Sequence, residues 1–302
     1  MMAALQILPL RGEMRFDEPM ARHTSWRVGG PARRFYRPAD SADLQAFLQQ
    51  LPADEPLLWL GLGSNLLVRD GGFPGTVIAT SGRLETLHWL QPDLLRAEAG
   101  VSCAAAARFA ARAGRVGIEF LAGIPGTIGG ALAMNAGAFG GETWDQVQQV
   151  EMVDRGGVIR HYGREAFDVG YRSVSGPAGE WFLAAQLQVT VGDVAAAQQT
   201  IRELLARRNQ SQPIGQPSCG SVFRNPEGDH AARLIEAAGL KGMQIGGARV
   251  SDKHANFIIN ADNASAADIE RLIEQVQQRV AQSSGVQLQT EVRMVGVAGE
   301  TA

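Results

Sequence analysis

The chain predicts an α+β protein with a larger first domain and a smaller second one, and three observations carry that expectation. Short apolar strands alternate with amphipathic helices along all 302 residues. Two glycine-rich stretches, residues 61–65 and 117–141, interrupt the first half. A segment rich in Pro, Ser, Gln and Gly, residues 207–220, then precedes a second group of helices and strands. A chain of this length buries enough surface for two or three cores.

Taken in order, residues 1–20 read as an extension. "MMAALQILPL" is mildly apolar but broken by Gln6 and Pro9, lacks the basic start and continuous apolar core of an export signal, and is expected to be disordered or to dock. Strands are expected at 34–37, 57–60, 76–79, 147–153 and 158–162. A longer strand, 182–191, alternates Leu183, Ala185, Leu187, Val189 and Val191. Helices are expected at 42–51, at 103–113 with Ser102 as cap, and at 194–208 after Gly192 and Asp193. Beyond the linker come a helix over 230–238, stopped by Gly239, and a strand over 256–260. The helix starting at Ser265 has the clearest signal. Asp268 closes a capping box, and Ile269, Leu272, Ile273, Val276 and Val280 form one apolar stripe. A last strand, 286–295, sets Val286, Leu288, Val292 and Met294 on one face and Gln287, Gln289, Glu291 and Arg293 on the other.

Residues 117–141, "GIEFLAGIPGTIGGALAMNAGAFGG", contain eight glycines in 25 positions. Interior glycine costs about 0.5–1 kcal/mol relative to alanine, so no ordinary helix or strand is expected there. Such a segment offers backbone N–H groups that no side chain shields from a bulky anion, which points to a pyrophosphate or dinucleotide. The earlier loop follows the run Leu57–Leu60 with Gly61-Leu62-Gly63-Ser64-Asn65, adding two neutral donors to bare amides. It is not a Rossmann fingerprint. Leu66 stands where the third glycine would be, no acidic residue follows at the required distance, and Arg69-Asp70-Gly71-Gly72 turns the chain before a helix can run.

Composition narrows the class. Hydrophobic residues make up 45% and charged residues 20%, which is the balance of a soluble globular protein. A net charge of −3 gives no global basic field for nucleic acid. Cys103 and Cys219 are too few and too scattered for a disulfide framework or a zinc site, and the five histidines show no metal-ligand spacing. No apolar run reaches membrane-spanning length, so no membrane anchor is expected and the chain reads as cytoplasmic.

The blocks "GLGSNLLVRDGGFPG" and "LAGIPGTIGGALAMNAGAFG" together resemble the flavin-binding core of the UDP-N-acetylenolpyruvoylglucosamine reductases. The resemblance begins at "HTSWRVGGPA" (His23 to Ala32) and passes through "YRSV" (Tyr171 to Val174) and "GSVFRNP" (Gly220 to Pro226). It continues with "SDKHANFIIN" (Ser251 to Asn260) and ends with "TEVRMVG" (Thr290 to Gly296), all in family order. It implies a vanillyl-alcohol-oxidase (PCMH-type) FAD-binding domain over 21–205, with two α+β subdomains of about 21–80 and 81–205. A smaller α+β substrate-binding domain over 206–302 follows. It also implies noncovalent FAD, NADPH as co-substrate, and UDP-N-acetylglucosamine enolpyruvate as the substrate reduced to UDP-N-acetylmuramate in peptidoglycan precursor synthesis. The family pattern assigns FAD contacts to Gly61, Gly63, Ser64, Asn65, Leu66, Gly123, Ile124, Pro125, Gly126, Thr127, Gly130, Asn135 and Gly137.

The implied reaction sets the demands on the remaining residues. Hydride reaches the enolpyruvyl methylene carbon, negative charge builds on the carbon beside the carboxylate, and a proton must arrive there. By resemblance Ser221 is the proton donor, Arg172 grips the carboxylate or developing enolate, and Glu291 hydrogen-bonds the carboxylate or relays a proton. Tyr171, Arg224, Asn225 and Lys253 lie in matched segments and are expected to contact the UDP-sugar. Arg207 and Arg208 suit a helix C-terminus, and His254 reads as structural. Only Val174 to Glu180 separate Ser173 from Trp181, so the tyrosine-bearing insertion of longer family members is absent and the chain resembles the shorter subtype. Two other classes remain open on the residues: an oxygen-using flavin oxidase of the same fold, and a flavin or nucleotide-sugar binding module without catalysis.

Overall fold

The computed structural model describes residues 9–299. It resolves into two compact units, the first comprising the chain up to Arg15 with Arg34–Gly61 and Gly75–Leu205, the second Phe16–Arg33, Leu62–Pro74 and the chain from Ala206 onward.

The first unit holds two sheets. One has the order Glu13–Pro19, Pro31–Arg37, Phe73–Ala79 and Leu57–Leu60, the last two parallel with Leu57 opposite Thr76. Glu13–Pro19 falls within the expected N-terminal extension yet is its edge strand, while residues 1–8 of "MMAALQILPL" lie outside the described residues. Helix α1, Ser41–Gln49, starts at Asp40, whose carboxylate accepts from the Asp43 N–H at 2.9 Å. Buried Asp43 in turn accepts from the Tyr36 hydroxyl at 2.6 Å and from the Arg11 N–H at 2.6 Å, which ties the segment before the edge strand to the sheet.

The other sheet is antiparallel, with the order Ile159–Gly163, Val147–Asp154, Glu180–Gln188, Leu94–Glu98 and Leu87–Gln91. Helix α2, Cys103–Arg112, is capped by Ser102, as its sequence predicts, and packs Ala106, Ala107, Ala110 and Ala111 into the core with Leu95, Ile128, Leu132, Trp144 and Leu187. The expected strand over 182–191 ends at Gln188. Its tail, Thr190–Val191, pairs instead with Arg115–Val116, because the alternation that buries Leu187 and Val189 does not specify a partner strand.

A further difference concerns the glycine-rich stretch, which contains helix α3, Ile128–Met134. Thr127 caps it, accepting from the Gly130 N–H at 3.4 Å. A Cβ on Gly129 would stand 2.8 Å from the Ala99 Cβ, so the glycine is what lets this helix lie against the chain leaving strand Leu94–Glu98. Tertiary packing here outweighs the intrinsic cost of glycine. Helix α4, Val194–Ser211, carries the chain to the linker.

The second unit has its own core, in which Trp26, Leu67, Phe223, Leu234, Ile258, Ile269, Leu272, Ile273 and Val276 are buried together. Helix α5, Ala231–Ala237, and helix α6, Ala266–Ser284, belong to it; α6 shows the predicted box between Ser265 and Asp268. Asp70 adds a second cap, accepting from the Ala266 and Ala267 N–H groups at 2.9 Å each. The strands Gln244–Ile245, Ala248–Val250 and Ile258–Asn260 form an antiparallel sheet, and Leu66–Val68 pairs in parallel with Arg293–Val295. The expected strand over 286–295 is therefore only Arg293–Val295. Leu288 and Val292 are buried as the alternation predicts, but before Arg293 the backbone makes only an isolated bridge, Thr290 opposite Phe223. Trp26 buttresses the sheet edge: its indole N–H donates to the Ile258 carbonyl at 2.7 Å and its carbonyl accepts from the Asn260 amide at 3.0 Å.

Candidate active site

In the first unit the two glycine loops come together. A Cβ on Gly61 would stand 2.4 Å from the Thr127 Oγ1, so the contact exists only because position 61 is bare. The second loop is laced to the chain before and at the start of α2 by Cys103 N–H to Gly126 C=O at 2.9 Å and Ile128 N–H to Val101 C=O at 2.8 Å. Residues 123–130, "GIPGTIGG", carry no charged side chain, and Pro125 and Gly130 are exposed. At Gly130 the nearest atom to an added Cβ is the Thr127 Oγ1, 3.7 Å away, so the outer side of this turn is open. Bare backbone, a hydroxyl and an apolar wall without carboxylates suit a pyrophosphate-bearing cofactor.

Arg172 sits in the two-residue turn of the hairpin Asp168–Gly170 and Ser173–Ser175, with a φ of +52°. The left-handed region costs a residue with a Cβ about 1–2 kcal/mol. Its guanidinium donates to the Asn135 carbonyl at 3.2 Å and the Gly137 carbonyl at 3.0 Å, and lies 5.3 Å from the centroid of the exposed Tyr171 ring. These carbonyl dipoles orient the cation while adding no countercharge of their own. Asn135, the left-handed cap of α3, is buried and braced on all sides. Its amide donates to the Glu142 carboxylate at 2.8 Å and the Gly170 carbonyl at 3.2 Å, and its Oδ1 accepts from the Trp144 N–H at 3.1 Å. Asn135 and Gly137, expected as flavin contacts, thus also form the seat of Arg172.

In the second unit Ser221 and Glu291 are neighbours across a backbone pairing. The Glu291 N–H donates to the Val222 carbonyl at 2.8 Å. On the other side, Asn256 grips the same segment three times: its carbonyl accepts from Val222 N–H at 2.9 Å, its Oδ1 from Phe223 N–H at 2.9 Å, and its amide donates to the Phe223 carbonyl at 2.8 Å. Gly220 has a φ of +71° with nothing within 4 Å of an added Cβ, so its role is conformational rather than steric. Burial pushes the Cys219 thiol up to about 12. The loop at 63–66 reaches this strap directly: Asn65 donates to the Glu291 carbonyl at 3.1 Å and its own carbonyl accepts from the Arg293 N–H at 3.1 Å.

The other expected substrate contacts differ in their surroundings. Arg224 is half-buried, and its Nε is buried with no hydrogen-bond partner. Asn225 is exposed and accepts from the Ala231 N–H at 3.1 Å, capping α5. Lys253 is exposed and donates to the Asn209 carbonyl at 2.6 Å. His254 packs edge-on against Phe257, and burial holds its pKa below the ordinary 6.5, as suits a structural group. Glu142 and Asn256 escape a reading for chemistry, since neither touches a reacting group. The signal for Asn256 lies inside the "KHANF" block; Glu142 has no local signal.

Compared with known proteins, the chain is 64% identical over 287 residues to the UDP-N-acetylenolpyruvoylglucosamine reductase of Alkalilimnicola ehrlichii, a match covering 95% of this chain and 96% of that protein. The chain belongs to the UDP-N-acetylenolpyruvoylglucosamine reductase family. The reductase of Methylococcus capsulatus is 60% identical over 296 residues, covering 98% of this chain and 97% of that one. The crystal structure of UDP-N-acetylenolpyruvylglucosamine reductase from Thermus caldophilus matches with a TM-score of 0.82 at 32% identity, covering 95% and 99% of the two chains. Residues 32–163 match the FAD binding domain, and residues 212–295 match the UDP-N-acetylenolpyruvoylglucosamine reductase C-terminal domain. This member of the reductase family is therefore an oxidoreductase with an FAD-binding α+β fold followed by a C-terminal domain. Among the described residues, no helix is long and apolar enough to cross a membrane.

Proposed function

We propose that the chain reduces UDP-N-acetylglucosamine enolpyruvate to UDP-N-acetylmuramate with NADPH and noncovalent FAD, in the cytoplasmic synthesis of peptidoglycan precursors. On this reading residues 21–205 carry the flavin and residues 206–302 most of the substrate contacts. The observation that carries it is the strap joining Ser221 to Glu291, which a flavin oxidase or a passive binding module has no need to build. Bound FAD supplies the hydride that reaches the enolpyruvyl methylene carbon.

The chain's own residues answer the charge that this hydride creates. Arg172, already oriented by two carbonyls, holds the substrate carboxylate as the adjacent carbon becomes electron-rich. Glu291 donates a hydrogen bond to the same carboxylate in its protonated form. Ser221 gives its hydroxyl proton to that carbon. A serine is a weak acid, so it serves only beside a full negative charge. The unpaired Arg224 Nε is a donor suited to the anionic UDP-sugar. Support for noncovalent flavin comes from Cys103, at the start of α2 beside Gly126, whose thiol burial pushes up to about 12 and so keeps it un-ionised.

The test is Ser221→Ala in stopped-flow. NADPH should still reduce the flavin at the wild-type rate, while transfer to the enolpyruvyl substrate falls by about 10²–10⁴-fold, the scale of general acid catalysis. An unchanged second half-reaction would remove Ser221 from the mechanism.

A further inference from the structure

The second unit contains a pocket of about 300 Å³ that the reaction, as assigned above, does not require. Its floor is the face of the sheet opposite α6. Ala248 and Val250 are fully buried, and Arg249, between them, points to the other side, paired across to Ile259. Pro213, Ile214 and Ile259 supply apolar walls, and Arg249, Ser251 and Lys253 bring donors into it.

Those donors have capacity to spare. The Arg249 Nε is buried with no hydrogen-bond partner, a costly arrangement for a group that is always charged. Ser251 is 2% exposed, and its Oγ accepts from the N–H groups of Lys253 at 3.2 Å and His254 at 3.4 Å. With its acceptor side so used, the hydroxyl proton is directed to an outside acceptor. The Lys253 ammonium spends one donor on the Asn209 carbonyl at 2.6 Å and has three in all. The single carboxylate at the rim, Asp252, extends toward Gly242, where its Oδ1 comes within 3.0 Å of an added Cβ.

We propose that this pocket binds a phosphate-type oxyanion, with the Arg249 guanidinium side-on to two oxygens and Ser251 and Lys253 donating to the others. An Nε paired with an Nη matches the spacing of two such oxygens, which a point cation does not. The anion is either nucleotide-borne or a free phosphate. The nucleotide-borne case deepens the functional reading above and rests on it; the free case stands apart from it.

The experiment is isothermal titration of the full, FAD-loaded chain with inorganic pyrophosphate in phosphate-free, low-salt buffer. Saturable one-to-one binding is expected, weakening as salt is added. Arg249→Met, which keeps the length of the stem, should weaken it about tenfold or more, and Arg249→Lys should restore part of the loss. No saturable heat, or equal affinity in wild type and Arg249→Met, overturns the proposal. Competition then separates the sources. Displacement of pyrophosphate by UDP or NADP⁺, together with a raised KM in Arg249→Met, marks the anion as nucleotide-borne, whereas binding that neither nucleotide displaces marks a free phosphate. Because the titration reads binding and not turnover, a chain that fails to reduce the UDP-sugar sinks the functional reading without touching this one.

Discussion

Arg172 and Ser221 are held in opposite ways. Arg172 is fixed by its own side chain: the guanidinium bonds two carbonyls of the segment after α3, in a turn whose backbone is in the left-handed region. Ser221 is fixed by its neighbours' backbone, with Glu291 on one side and Asn256 on the other gripping Val222 and Phe223. Removing the arginine side chain therefore dismantles part of its own support, whereas removing the serine hydroxyl leaves the strap intact.

The largest effects test that contrast directly. Ser221→Ala should lose the activity given above with an unchanged melting temperature. Arg172→Ala should lower kcat/KM by about 10²–10³-fold, the range for deleting one oxyanion donor, and also lower the melting temperature by freeing the Asn135 and Gly137 carbonyls. Equal melting temperatures for the two variants would erase the distinction.

Next in size is Asn256→Ala. It strips two side-chain bonds from buried Phe223 and should cost about 2–3 kcal/mol in urea unfolding, since the groups left behind are desolvated. Turnover should fall as well, although Asn256 touches nothing that reacts; a destabilised variant with full kcat would show that Ser221 is positioned by something else.

A smaller effect is set by pH. The neutral ring of His254 is the native form, held below 6.5 by burial first and then by Lys241. The unfolded chain thus takes up a proton first as pH falls through 6.5, so stability is full above that value and declines in the window below it. His254→Gln should flatten that decline in unfolding measured against pH; an unchanged slope would assign it to other groups.

The smallest effect isolates backbone strain. Arg172→Gly and Arg172→Ala lose the same guanidinium, but glycine accepts a φ of +52° freely. The glycine variant should be more stable by about 1 kcal/mol, and the reverse order would mean that the turn relaxes once the side chain is gone.

Periodicity and caps were readable because they are local. The box at Ser265 and Asp268, the Ser102 cap of α2 and the strand Leu57–Leu60 all stand where the residues place them. The candidate residues Arg172, Ser221 and Glu291 were visible only through motif resemblance, since a turn arginine, a turn serine and a glutamate on a polar face look solvated in isolation. What surrounds them was not visible in any form. Glu142 braces Asn135, and Asn65 bonds the Glu291 carbonyl 226 positions away.

The amino-acid order by itself determined the α+β pattern, the bare-backbone loops and the helix ends, because propensity, burial alternation and capping act over a few residues. Tertiary structure decided that a glycine-rich segment would be helical at Ile128–Met134, that the final strand would shrink to Arg293–Val295, and that Ser221 would stand beside Glu291. Each of those depends on which distant backbone offers a hydrogen-bond partner or a flat surface, such as Ala99 against Gly129, and no local rule specifies that.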